Sequence, residues 1–229
     1  MRRSILGLAG ALALVAVATA EAQVVPHRFQ VGPRLAWLSF PDHSGLKGSG
    51  LVGIDAMYFL NRNLGVGFSV DFTRPQTDGR YHPAEFTFGD TTFVYQATYP
   101  ITIFQYQLMG IATLGSGRIS PYLTGGVGQY RLFVDPQSAQ GARQLGHVMM
   151  TVGGGVNLRL GNSGGLRFEV RDFMYTGYDL NEVNTVNPRF NPRRFPDLAP
   201  IPDDQCYRAT CKLNNLQLAF GFTFVPGGR

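Results

Sequence analysis

The sequence lacks the material for a helical membrane protein. Beyond one apolar run at residues 5–20, nothing in its 229 residues approaches the ~20 consecutive apolar positions that a spanning helix needs. Charge is scarce too, at 15% of residues, and the cations form no basic stripe of the kind a nucleic-acid surface requires, so no nucleic-acid partner is expected. There are two cysteines, Cys206 and Cys211, and no C-x-x-C redox spacing. His43, His82 and His147 lie too far from them in sequence to complete a metal site by spacing. No arrangement of Ser, His and carboxylate suggests a catalytic constellation, and neither His82 nor His147 has a suitably spaced serine. Enzyme activity, cofactors and metals are therefore not expected.

What is present begins with export. The run 5–20 follows Arg2 and Arg3 and leads into Ala20-Glu21-Ala22, an A-x-A cleavage signature. Residues 1–22 are expected to be a cleaved secretory signal, leaving residues 23–229 as one mature domain. Its loss lowers the net charge from +5 to +4. A chain that enters a membrane without helices must do so as a closed barrel.

The clearest pattern lies at residues 147–175. In 147–160, Val148, Met150, Val152, Val156 and Leu158 alternate with Thr151, Gly153, Gly155, Asn157 and Arg159. After GNSGG, Leu166, Phe168 and Val170 alternate with Arg167, Glu169 and Arg171. Period-2 alternation marks strands with one apolar face. The other face mixes Gly, Asn, Arg and Glu, which suits the packed interior of a narrow barrel better than a wet sheet surface.

Six further segments repeat the pattern: 28–40, 49–60, 64–73, 101–114, 119–133 and 215–224. In 28–40, Leu35 and Trp37 oppose Arg34, and Pro33 suggests a bulge or a poorly paired edge. If 49–60 and 64–73 close symmetrically about Arg62, Gly53 faces Asp71 and Asp55 faces Ser69, all inward. Gln105 and Gln107 are expected to face in. The faces of 119–133 are ambiguous because of Gly125, Gly126 and Gly128. Inside the loop 74–100, EFTF and TTFVYQ flank Gly89-Asp90 as a hairpin too short to span a bilayer.

The expected fold is therefore all-β: an eight-stranded antiparallel transmembrane β-barrel, an up-and-down meander. Connections alternate between long (41–48, 74–100, 134–146, 176–212) and short (61–63, 115–118, 161–165), the loop asymmetry of outer-membrane barrels. The segments SPYLTGGVGQYRL, VGGGVNLRLGNSGGLRFEVRD and NNLQLAFGFTF resemble the outer-membrane barrel family of OmpA-type and OmpX-type proteins. The resemblance implies residence in the lipid of a Gram-negative-type outer membrane, with both termini periplasmic. It also implies insertion by the outer-membrane assembly machinery, which would read Leu216, Leu218, Phe220, Phe222 and Phe224 on the last strand. The chain continues with VPGGR where the family ends on the aromatic, and an anchoring role through a C-terminal peptidoglycan-binding domain is not expected.

Three features could carry function. The inward charges Arg34, Asp55, Asp71, Arg159, Arg167, Glu169 and Arg171 form either a self-satisfied polar core or a selectivity lining; eight strands leave a lumen that side chains can fill. Glu169, between Arg167 and Arg171, is the expected centre of that network. Cys206 and Cys211 suit a disulfide in an exported chain. Loop 176–212 carries Arg189, Arg193, Arg194, Arg208 and Lys212 among Phe190, Phe195 and Tyr207, either as a solvated loop or as a grip on lipopolysaccharide phosphates or another extracellular ligand. The leading functional expectation is a structural or adhesion-like role carried by the loops, with a narrow pore or small-solute channel as the first alternative and a lipid-modifying barrel enzyme as the least favoured one. A soluble lipid-binding barrel of lipocalin type would need the apolar faces turned inward.

Overall fold

The computed structural model describes residues 27–78, 83–96, 98–115, 117–134, 143–160, 164–183 and 211–226. Ten strands are found among them. They are β1 (Phe29–Ser39), β2 (Ser49–Phe59), β3 (Leu64–Thr73), β4 (Pro83–Phe88), β5 (Thr91–Gln96), β6 (Ile101–Thr113), β7 (Ile119–Val134), β8 (Arg143–Arg159), β9 (Gly164–Tyr178) and β10 (Cys211–Phe224). Eight close into a barrel in the order β1-β10-β9-β8-β7-β6-β3-β2, while β4 and β5 pair only with each other. Each barrel neighbour is antiparallel, so the chain winds as a meander and seals itself by pairing β10 with β1. Closure removes the two exposed edges that an open sheet would carry into lipid.

Strand faces follow the alternation. Leu35, Leu108, Leu123 and Phe222 turn outward, whereas Arg34, Gln107, Tyr122 and Thr223 are buried. Apolar residues thus face out, which excludes the lipocalin arrangement. Register agrees as well: Gly53 stands opposite Asp71 and Asp55 opposite Ser69. The β2–β3 turn is fixed by Asn61, whose Oδ1 accepts the backbone N–H groups of Asn63 and Leu64, each at 2.8 Å. Gly89-Asp90 closes β4–β5, which stands outside the barrel sheet with Phe88 75% exposed and Phe93 51% exposed.

Two details differ from the sequence expectation. Strand β7 has a definite polarity, with Tyr122, Thr124, Tyr130 and Leu132 inward and Leu123, Val127 and Phe133 outward. The strands that flank the last two long connections are longer than expected: β8 starts at Arg143, β9 runs to Tyr178 and β10 starts at Cys211. Alternation near loops is blurred because both faces there carry apolar groups. Pro33 gives the poorly paired edge expected of it, on the closing seam, where no rung is formed between Val31–Phe224 and Arg34–Gly221, while its β1–β2 pairing with Ile54 is intact.

The inner face changes along its height. Near the tight turns, Met57, Phe59, Met109, Ile111 and Tyr122 form a small apolar cluster. At the other end, inward residues of β1, β2 and β6 to β10 pack into a larger one that includes Leu38, Ile103, Tyr130, Met149, Phe173 and Leu213. A helical turn α1 (Leu180–Val183) caps this cluster: Leu180 and Val183 are buried in it, and Tyr99 donates its hydroxyl hydrogen to the Val183 carbonyl at 2.7 Å. Tyr178 similarly donates to the Ser44 carbonyl at 2.6 Å, tying the β1–β2 connection over the mouth.

Candidate functional site: the ion-pair layer of the lumen

Between the two apolar clusters lies a layer of charge. It rests on a spatial device that recurs around the barrel: a charged or aromatic side chain on one strand lies across a glycine on the next. In the row Arg34–Gly53–Asp71, the glycine of β2 lets Arg34 pass over it to reach Asp71 on β3. In the row Tyr122–Gly155–Glu169, the glycine of β8 lets Tyr122 donate to Glu169 Oε2 at 2.9 Å. A Cβ at Gly155 would sit 2.6 Å from the Tyr122 hydroxyl, and one at Gly153 would sit 2.8 Å from Arg171 Cγ. Any larger residue would take the space that the long side chains use.

Three guanidinium groups meet three carboxylates here. Arg34 pairs with Asp55 and Asp71 and donates to Ser69 Oγ at 2.8 Å. Arg167 reaches Asp55 Oδ2 at 3.2 Å and Glu169 Oε2 at 2.9 Å, and its Nε donates to the Tyr122 hydroxyl at 2.6 Å. Its guanidinium also lies over the Tyr122 ring, 4.6 Å from the centroid. Arg171 pairs with Glu169 through Nε and with Asp55 Oδ2 at 3.2 Å through Nη2. All six charged side chains are buried. Burial of so many charges is tolerable because each has a partner of opposite sign, all but Asp71 have two or more, and the six sum to zero.

The structure therefore brings together Arg34, Asp55, Asp71, Arg167, Glu169 and Arg171, as the sequence suggested, and adds Tyr122. Two corrections follow. Glu169 does bridge Arg167 and Arg171, but Asp55 touches all three arginines and is the hub. Arg159 stands at the turn end of β8, opposite Gly165 and only partly buried, rather than beside the three carboxylates. Tyr122 escaped notice because the glycines of β7 hid which face it occupies, although the S-P-Y phase to Leu123 and Val127 carried the signal.

Leu216, Leu218, Phe220, Phe222 and Phe224 all turn outward on β10, forming a continuous apolar ridge. Cys211 is the first residue of that strand and is buried in the loop-end cluster, not in a free loop as expected. Cys206 lies outside the described residues, as do residues 1–26, His82, Arg189, Phe190, Arg193, Arg194, Phe195, Tyr207 and Arg208. His147 is partly buried beside Tyr130, with ring centroids 6.1 Å apart. Among the described residues no three metal-ligating side chains converge.

Comparison with known proteins agrees with this geometry. The crystal structure of Neisserial surface protein A superposes with a TM-score of 0.53 at 17% identity, covering 86% of this chain and 96% of that one. The outer membrane protein OprG from Pseudomonas aeruginosa superposes with a TM-score of 0.51 at 10% identity, covering 89% of this chain and 99% of that one. At such identities the likeness concerns the fold. Among curated protein sequences none matches the chain. The model of the outer membrane protein beta-barrel domain matches residues 8–224, and the chain belongs to that family.

Proposed function

We propose that the protein is a closed outer-membrane barrel that works through its loops, as a surface-interaction protein, and not through its lumen. The observation that carries this reading is the stacking inside the barrel. An apolar cluster occupies each end, and a neutral, mutually paired charge layer lies between them. A selectivity filter needs charges that face water and an ion path; these face one another. The two apolar ends also count against a narrow channel. The exposed phenylalanines of the β4–β5 hairpin are the kind of apolar contact that a partner at the cell surface could cover.

The accompanying assignments belong to the same reading. Residues 1–22 act as the export signal, the β10 ridge is read by the assembly machinery, and Cys206 and Cys211 form a disulfide that pins the last long loop to the barrel rim. That loop offers its arginines to lipopolysaccharide or another anionic ligand. The test is attachment of Gram-negative cells displaying the full-length protein to host-cell and lipopolysaccharide-coated surfaces, beside cells in which 83–96 is replaced by a Gly-Ser tract of equal length. Attachment should exceed that of cells without the protein and should fall in the replacement. Attachment equal to the protein-free cells on every surface would overturn the reading.

A further inference from the structure

We infer that the barrel encloses a water-binding chamber between its ion-pair layer and its loop-end apolar cluster. Nine buried side-chain atoms at this height have no hydrogen-bond partner in the protein. They are both amide ends of Gln105 and of Gln217, Nε2 of Gln107, Oδ1 of Asn215, the Tyr175 hydroxyl, Oδ2 of Asp71 and Nη1 of Arg171. Register gathers them into one band. Gln105 stands opposite Asp71, and Gln217 stands opposite Arg171. Tyr175 stacks on Tyr130, the other cross-strand neighbour of Gln105, with centroids 4.1 Å apart. Native interiors leave few buried polar atoms unpartnered, so nine in one band mark a site that something fills.

The chemistry of the set says what fills it. Four of the atoms donate: Nε2 of the three glutamines and Nη1 of Arg171. Four accept: Oε1 of Gln105 and Gln217, Oδ2 of Asp71 and Oδ1 of Asn215. The Tyr175 hydroxyl does either. The amide of Gln107 is oriented by Thr151, which donates to its Oε1 at 2.7 Å and leaves Nε2 as the free donor. An anion would select a ring of donors and a cation a ring of acceptors. This set is balanced and the charge layer below it is neutral, so the matching ligand is small, uncharged and able to donate and accept alike. Water meets that description. With roughly three hydrogen bonds per buried water, the nine atoms would hold about three molecules. The apolar cluster above and the ion pairs below would keep them from exchanging freely.

The test uses the full-length protein refolded into lipid nanodiscs. Water-to-amide NOE and ROE spectra should show cross-peaks of opposite sign at the side-chain amides of Gln105, Gln107 and Gln217, the signature of water held far longer than at a surface. In the double variant Q105M/Q217M, which keeps the volume and removes four of the nine partners, the cross-peak at Gln107 should be lost while the barrel stays folded. Absence of water cross-peaks in the parent would mean that these side chains turn onto one another and the band is dry. An unchanged Gln107 cross-peak in the variant would place the water elsewhere. A bromide or rubidium ion in anomalous density between Gln105 and Gln217 would make it an ion site. Each of these three results would overturn the inference.

Discussion

Strand β9 carries two different interiors on one face. From Arg167 through Glu169 to Arg171 its inward side chains are charged; from Phe173 through Tyr175 to Tyr178 they are aromatic. Strand β6 shows the same change with a third zone, passing from Ile101 and Ile103 through Gln105 and Gln107 to Met109 and Ile111. The inside of this narrow barrel is not uniformly polar. Polar groups collect at mid-height, where glycines on adjacent strands make room for them and opposite charges meet. Apolar groups close both ends, as a core does in a soluble protein.

The largest effect should come from the charged zone. Asp55→Ala removes the one carboxylate shared by Arg34, Arg167 and Arg171 and should destabilise the refolded barrel by about 4–5 kcal/mol, the upper range for breaking a buried pair. Glu169→Ala, with two arginine partners, should cost about 3 kcal/mol. Urea unfolding in detergent micelles measures both. Unchanged midpoints would mean that the layer is hydrated and the charges are solvated.

In the aromatic zone the currency is volume. Phe173→Ala empties a fully buried site in the loop-end cluster and should cost about 3–4 kcal/mol, in the range for buried aromatics in cores. Equal stability to the parent would mean that this end of the lumen is loosely filled. The two faces of one strand can be set against each other with Leu35→Arg. Arg34 lies in the ion-pair layer, whereas an arginine one residue on would face lipid and should cost about 2–4 kcal/mol if it lies near the bilayer midplane. Gly155→Ala places a methyl against the backbone carbonyl of Phe168 on the neighbouring strand as well as 2.6 Å from the Tyr122 hydroxyl, and should cost about 1–3 kcal/mol as overpacking. That variant should also disturb Tyr122 fluorescence or its hydroxyl resonance, which a purely backbone effect would not.

Much of this was legible in the sequence, and the reasons are specific. The alternation Leu64, Val66, Phe68, Val70, Phe72 against Gly65, Gly67, Ser69, Asp71 gave strand, face and, with the tight turn at Asn61, register. The charges on β9 announced an ionic interior. Height was not legible, because a period of two distinguishes faces but not levels. Hence Asp55 was not recognised as the hub, since its three partners come from strands β1 and β9, distant from it in sequence. The inward aromatics of β7 and β9 were equally hidden. Tyr130 and Tyr175 become neighbours only when β8 stands between their strands and the barrel wall curves. Arg159 shares its face with Asn157 and so was grouped with the cluster, but it stands two inward positions nearer the turn than Gly155, which opposes Glu169.

On the proposed reading the lumen is closed by its own side chains. Single-channel recording of the full-length protein, refolded and inserted into a planar bilayer, tests it most directly. Verified insertion with a silent current trace is the result expected from two apolar ends around a neutral charge layer. Discrete conductance steps from the same preparation would contradict it and would make the arginines and aspartates of the layer the lining of a pore.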